Sequence, residues 1–130
     1  YNRKFKPAKT RADWVTSDQE RLEAYVTDPL CSFMFTVNAY YSMFTGMLAS
    51  EKKESIYMIP KGLPILFAAG ADDPVGDFGK GVRKIYEQYK AAGIQDISLR
   101  LYGGDRHEIL NETDRKQVYQ DMYEWMKERL

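Results

Sequence analysis

Residues 63–75 read LPILFAAGADDPV, an apolar run followed at once by glycine, alanine, two acids and proline. Its apolar part, residues 65–69, lacks polar alternation, which is typical of a strand buried on both faces of a parallel sheet. Residues 97–102, ISLRLY, alternate and predict a second strand. Between them, apolar residues at helical spacing predict a helix over 79–91 that ends at Gly93. A strand-helix-strand unit of this length implies parallel strands and predicts an α/β protein.

Polar segments follow both predicted strands, GADDPV at 70–75 and GDRHE at 104–108. Because adjacent parallel strands end at the same rim of a sheet, we expect Asp73 and His107 to lie within hydrogen-bonding distance. Such a pair matches the acid and base of a catalytic triad. Two structural alternatives stay open: an aspartate that ends the strand or caps a helix, and a hydrogen-bonded loop histidine. Asp72 is predicted to face solvent.

The sequence predicts neither a metal site nor a cofactor. One histidine without H-x-x-x-H spacing does not provide a zinc ligand set, and the glycines do not form a phosphate-binding loop. A nucleophile is also missing, because none of the serines lies in a G-x-S-x-G motif. The serines are Ser17, Ser32, Ser42, Ser50, Ser55 and Ser98.

The first half of the chain predicts helices of a different character. Residues 1–16 are basic and irregular and predict a loop packed against another element. The SDQE sequence at 17–20 is a capping box, which predicts a helix over about 18–26. Residues 32–49 are rich in Met and Phe and predict either a core helix or a mobile cap that lines an acyl pocket. Residues 51–54 are expected to form a solvated linker.

A last helix is predicted over about 114–129, with Thr113 or Asn111 as its cap. Two parallel strands do not make an independent sheet, because an all-parallel sheet needs several strands covered on both faces. We therefore expect this chain, which starts without a methionine, to complete a larger sheet whose other strands lie outside it. Residues 1–58 are predicted to form a cap region and residues 59–130 part of the core.

The composition indicates which classes of partner the protein is expected to bind. The 19 basic and 19 acidic residues cancel, which argues against a nucleic-acid partner and favours a small, roughly neutral organic ligand. The longest apolar stretch, residues 33–48, is too short and too often interrupted by polar residues to span a bilayer. One cysteine, Cys31, excludes an intrachain disulfide and predicts a buried small side chain. We expect a cytoplasmic protein.

Three segments together resemble α/β-hydrolases of the serine aminopeptidase, monoacylglycerol lipase and bacterial lysophospholipase-like group. They are YVTDPL at 25–30, GADDPVG at 70–76 and YGGDRHEILNE at 102–112. The resemblance covers essentially the entire chain and corresponds to the C-terminal half of that fold. It implies that Asp73 is the triad acid and His107 the base, with the nucleophilic serine upstream of this sequence.

The same resemblance implies an acyl-enzyme mechanism on a carboxylic ester, such as a monoacylglycerol or a lysophospholipid. Trp14, Phe33, Met34, Phe44 and Met47 are implied to help build the acyl site. The implied partner is the N-terminal half of the same fold, without which this chain alone is expected to be inactive. No cofactor is implied.

Two other functions remain open. A half-fold can serve as a non-catalytic interaction subunit that pairs its exposed strand edge with another protein. An α/β-hydrolase fold can also carry another reaction type, for example with an aspartate as nucleophile, which again requires a residue outside this sequence.

Overall fold

A computed structural model describes residues 1–31 and 33–130. Five α-helices, two strands and two short 3-10 helices follow one another along these residues. In chain order they are a 3-10 helix Asn2–Lys4, α1 Gln19–Thr27, α2 Val37–Ser50, α3 Lys53–Tyr57, β1 Ile65–Gly70, α4 Lys80–Ala91, β2 Ile97–Tyr102, a 3-10 helix Ile109–Asn111 and α5 Arg115–Lys127.

The two strands form the parallel pair that the sequence predicts. They pair in register from Ile65 opposite Ile97 to Gly70 opposite Tyr102. Helix α4 makes the crossover, and its end at Gly93 has a φ of +93°, a left-handed conformation that glycine adopts without a steric penalty. This confirms the α/β class and the parallel strand-helix-strand unit.

Helices α4 and α5 pack against the sheet through aromatic side chains. The Phe67 ring of β1 meets Tyr89 of α4 edge-on, with ring centroids 5.1 Å apart. From α5, the indole N–H of Trp125 donates to the Ser98 hydroxyl of β2 at 3.1 Å. All side chains of β1 before Gly70 are only half-buried, so within this chain the strand does not reach the burial on both faces that its composition predicts.

One cluster of buried apolar side chains lies outside the sheet, in the segment before α1 and in α1 itself. Ala12, Val15 and Leu22 form its centre, and Trp14, Tyr25 and Val26 pack around it. The segment before α1 is therefore one of the most enclosed parts of the chain. It adheres to the loop after β2, where the N–H of Glu108 donates to the Val15 carbonyl at 2.8 Å. The boundary between a cap at 1–58 and a core at 59–130 stays a prediction.

The predicted capping box is wrong. Helix α1 begins after Asp18, whose carboxylate accepts the N–H groups of Glu20 and Arg21. The Ser17 hydroxyl instead donates to the Glu112 carboxylate, 95 residues away. The Ser17 hydroxyl therefore binds a distant carboxylate and does not cap the helix start, contrary to what the local sequence pattern predicts.

The Met- and Phe-rich helix is shorter than predicted. Thr36 caps α2 by accepting the N–H of Ala39, so residues 33–35 precede the helix, and the predicted start at Ser32 lies outside the described residues. Every residue of α2 is exposed, so the cover that its composition predicts does not come from the rest of the described chain. Cys31, predicted to be buried, is exposed as well.

Two smaller predictions are also wrong. A solvated linker is expected at residues 51–54, but helix α3 begins within it and covers Lys53–Tyr57, since Lys, Glu and Ser are compatible with a helical turn. In the described structure no side chain caps α5, which follows Asp114, and neither Thr113 nor Asn111 occupies that position. The Asn111 amide donates to Glu108 at 2.7 Å instead.

Within residues 1–31 and 33–130, every helix falls short of the length and hydropathy needed to cross a membrane. The expected cytoplasmic location stays a prediction.

Candidate active site

Asp73 and His107 meet at the shared rim of the two strands. The Nδ1 atom of His107 lies 3.0 Å from Oδ2 of Asp73, although the two residues are 34 positions apart. The aspartate is 6% exposed and the side chain of the histidine 40% exposed. Asp72, the neighbouring acid, faces solvent as predicted. A carboxylate at this position accepts a hydrogen bond from Nδ1–H of the neutral imidazole, which leaves Nε2 as the acceptor of the ring.

The Asp73 side chain is held from its other oxygen too. Oδ1 accepts the N–H of Val75 at 2.8 Å, which makes a local turn directly after β1. The Asp73 carbonyl accepts the N–H of Phe78 at 2.8 Å. With both oxygens engaged, the carboxylate has one orientation, and Oδ2 points at the imidazole.

A close backbone approach brings the histidine loop to this rim. The N–H of Asp72 donates to the Asp105 carbonyl at 2.9 Å. A Cβ atom added at Gly70 would lie 2.1 Å from the carbonyl oxygen of Arg106 and 2.3 Å from that of Asp105. Only glycine fits at the end of β1, because these contacts are far below any van der Waals distance.

Trp14 packs against the imidazole from the segment before α1. The ring centroids of Trp14 and His107 are 5.1 Å apart with the planes tilted by 48°. The backbone N–H of His107 also donates to the backbone carbonyl of Trp14, at 3.4 Å. The imidazole therefore has two restraints, the carboxylate of Asp73 at Nδ1 and the indole of Trp14 against the ring.

An open cavity of about 240 Å³ lies beside Trp14. Its lining includes Trp14, Phe33 and Met34, three of the five predicted acyl-site residues. Phe44 and Met47 are not among its lining residues; they lie half-exposed on α2. Their proposed role in substrate binding stays a prediction. The other lining residues are Arg11, Ala12, Tyr25, Val26, Cys31 and Tyr40.

Sequence reasoning missed Tyr25 and Tyr40 as lining residues. Both stand at helical spacing in apolar stripes, where they read as ordinary core positions. The ring of Tyr40 stacks on Phe44 with centroids 6.1 Å apart, which connects the cavity to the face of α2. No local pattern indicates that α1 and the residues before α2 meet at one cavity.

The residue two positions before His107 is a buried acid. Asp105 is 5% exposed, and its Oδ2 atom has no hydrogen-bond partner in the described part of the chain. Burial, followed by the nearby negative charges of Asp114, Glu112 and Asp72, raises the pKa of Asp105 to about 7. The folded protein therefore holds a proton on Asp105 under conditions in which the unfolded chain releases it.

We expect Asp105→Asn to stabilise the protein at pH 8 and to leave its stability nearly unchanged at pH 4. Between the unfolded pKa near 4 and the folded pKa of about 7, the folded state binds the extra proton, so stability falls as pH rises through this range. Asparagine carries no charge at either pH, so the variant does not lose this stability as the pH rises. Urea unfolding at both pH values should give a gain of about 1 to 3 kcal/mol at pH 8 only. An equal change at both values would contradict the assignment.

In the described residues, no group of three or more His, Cys, Asp or Glu side chains is arranged to hold a metal ion.

The chain has a parallel strand-helix-strand unit with a carboxylate and an imidazole on adjoining strand ends, as an α/β-hydrolase has for the acid and base of its triad. A model of the family described as serine aminopeptidase, S33, matches residues 2–114, so the chain belongs to this family. The predicted fold and family are thereby confirmed.

Solved structures of ester hydrolases share the fold. A thermostable carboxyl esterase from Bacillus coagulans is 27% identical with a TM-score of 0.88, over 97% of this chain and 41% of that one. A monoglyceride lipase from Saccharomyces cerevisiae is 23% identical with a TM-score of 0.74, over 93% of this chain and 42% of that one. A monoacylglycerol lipase from Paleococcus ferrophilus is 18% identical with a TM-score of 0.71, over 89% of this chain and 42% of that one. The last two similarities show the fold alone. The chain spans about two fifths of the length of each.

Proposed function

We propose that this chain supplies the acid and the base of a serine hydrolase that cleaves carboxylic esters. The observation that carries the proposal is the 3.0 Å contact between Asp73 Oδ2 and His107 Nδ1, in a chain of a serine hydrolase family. None of the serines in the 130 residues lies in a G-x-S-x-G motif. The proposal therefore assigns the nucleophile to a part of the protein outside this sequence. We call the protein that includes this part the complete protein.

In the proposed reaction, the serine hydroxyl attacks the ester carbonyl while Nε2 of His107 takes its proton. The tetrahedral intermediate collapses to an acyl-enzyme as the imidazolium returns that proton to the leaving alcohol. Water then attacks the acyl-enzyme as His107 takes a proton from it, and the imidazolium returns this proton to the serine oxygen as the carboxylic acid is released. Asp73 keeps the Nδ1 proton in place and stabilises the imidazolium charge in both steps.

The proposed substrates are esters with one acyl chain, of the monoacylglycerol or lysophospholipid type. Support comes from the cavity beside Trp14, whose Phe33, Met34 and Val26 side chains offer apolar surface to an alkyl chain. Flexible methionine and flat aromatic rings adapt to chains of different length. The cavity opens next to the ring that packs on His107, so a chain bound there would place its ester near the imidazole.

A fluorophosphonate probe and a series of 4-nitrophenyl esters test the proposal on the complete protein. We expect covalent labelling of one serine and hydrolysis of the esters, because an activated serine reacts with both. His107→Ala should abolish both reactions while the circular dichroism spectrum is retained. A complete protein that neither reacts with the probe nor cleaves any ester would contradict the proposal and favour the interaction subunit.

A further inference from the structure

Glu112 is a buried carboxylate that the proposed chemistry does not use. It is 0% exposed. Its two oxygens each lie 3.0 Å from the backbone nitrogen of Ser17, and Oε1 also accepts the N–H of Arg106 at 2.8 Å. The Ser17 hydroxyl donates to Oε2. Charge-assisted hydrogen bonds of this kind are shorter and stronger than neutral ones and offset the cost of burying the charge.

These donors come from two segments that both reach the candidate active site. Arg106 directly precedes His107, and Ser17 lies three residues after Trp14. Glu112 therefore joins the loop that carries the imidazole to the segment that carries the indole. We call the contact between residues 13–17 and residues 105–112 the seam.

Further hydrogen bonds run along the seam. Thr16 donates through its hydroxyl to the Asn111 carbonyl at 3.0 Å, and the Glu108 N–H donates to the Val15 carbonyl at 2.8 Å. The Arg106 guanidinium donates to the carbonyls of Asp13 and Thr16. The Glu112 carboxylate accepts hydrogen bonds from both segments, from Ser17 in the first and from Arg106 in the second.

Asp13 lies at the first position of the seam, and its carboxylate accepts hydrogen bonds from Lys9 and Thr10. Burial opposes ionisation of this carboxyl, but the Thr10 hydroxyl, the N–H groups of Lys9 and Thr10 and the charge of Arg106 together lower its pKa. Asp13 therefore stays ionised and keeps the chain before Trp14 in one conformation.

We propose that Glu112 is a positioning residue for His107. By holding the two segments together, it keeps the Trp14 indole against the imidazole and the ring aligned with Asp73. The inference rests on the proposed function, in which the imidazole must aim Nε2 at the nucleophile. A ring whose side chain is 40% exposed has freedom to turn unless both of its neighbours restrain it.

The direct test is Glu112→Gln in the complete protein. The amide keeps the size of the side chain, but it removes the charge and replaces one oxygen by an N–H₂ group, which cannot accept a hydrogen bond from Ser17, so the hydrogen bonds of the seam are weakened. We expect kcat for a 4-nitrophenyl ester to fall by about 10- to 100-fold, because a displacement of about 1 Å at a catalytic group has this effect.

A second readout follows the contact itself and does not depend on activity. Protonated imidazole quenches indole fluorescence more than neutral imidazole, so Trp14 emission should change when the pH is lowered far enough to protonate His107. Subtracting the titration of Trp14→Phe isolates this signal from other tryptophans. We expect Glu112→Gln to lose most of its amplitude.

Val118→Ala is the matched control for stability. Val118 is 0% exposed in α5 and lies outside residues 13–17 and 105–112, so its truncation leaves a cavity but removes no hydrogen-bonding group of the seam. We expect a lowered Tm with kcat and the Trp14 titration retained within about twofold. If Glu112→Gln does not fold, Ser17→Ala removes one donor to Glu112 and should lower kcat by about 2- to 5-fold with a reduced amplitude.

Parent-like kcat and titration amplitude in Glu112→Gln, or in Ser17→Ala where the glutamine variant does not fold, would overturn the inference. The inference would also be overturned if Val118→Ala lost as much kcat for a given drop in Tm as Glu112→Gln does. Equal losses would indicate that Glu112 has a structural role alone. The proposed function fails separately, if His107→Ala still hydrolyses esters. The fluorescence titration tests the contact in either case.

Discussion

Asp73→Asn should lower kcat/KM for ester hydrolysis by the complete protein about 10³- to 10⁴-fold. In the structure Oδ1 of Asp73 accepts the Val75 N–H at 2.8 Å, while Oδ2 faces His107 Nδ1 at 3.0 Å. The asparagine oxygen must keep the Val75 contact, because the amide N–H₂ cannot accept a hydrogen bond. The N–H₂ group then faces Nδ1 and forces the ring proton onto Nε2, which is the atom needed as base.

The matched control is Asp72→Asn, which removes the same charge one residue earlier. Asp72 is exposed; its backbone N–H donates to the Asp105 carbonyl at the rim, and its charge is the last of the causes that raise the pKa of Asp105. We expect kcat/KM within about twofold of the parent, because exposed charges in water interact weakly. Steady-state kinetics on one ester at pH 8 compares the two variants. Equal losses in both would contradict the assignment of Asp73 as the acid.

Gly70→Ala should destabilise the protein by about 3 kcal/mol or more and lower kcat by about 100-fold. The added Cβ would lie 2.1 Å from the Arg106 carbonyl oxygen and 2.3 Å from that of Asp105. Both neighbours are backbone atoms that no rotamer change can move. The loop must therefore retreat from β1 by about 1 Å, which separates His107 from Asp73.

Gly103→Ala is the control for this change. Gly103 lies in the same loop, and a Cβ there meets no atom of the described chain within 4 Å. Urea unfolding should place Gly103→Ala within about 0.5 kcal/mol of the parent. If Gly70→Ala matched the parent in both the free energy of unfolding and kcat, the close approach would not be needed to position the histidine.

The second half of the chain could be predicted well because its signals are local. The alternation of residues 97–102 predicts the strand that the structure has as Ile97–Tyr102. The spacing of apolar residues predicts α4, observed at Lys80–Ala91, and Gly93 ends it. Periodicity within a dozen residues is enough to determine these elements, since each buries a face that its own side chains define.

The first half was predicted less well because distant contacts decide it. Ser17 had a suitable capping partner within the same turn, yet Glu112, 95 residues away, holds its hydroxyl. The sequence predicts too early a start for the Met-rich helix, because residues 33–35 are as apolar as the helix that follows them. Apolar composition without a polar face does not indicate where a helix begins.

By itself, the sequence determined that this chain has parallel strands with an acid and a histidine after them, and it identified the family. Those properties depend on short patterns and on the order of residues along the chain. Only the tertiary structure decided that Trp14 packs on His107, that Gly70 admits the histidine loop and that Glu112 joins the two segments. Such contacts link residues up to 95 positions apart. No periodicity within either segment encodes them, because each segment acquires its role only when the other is folded against it.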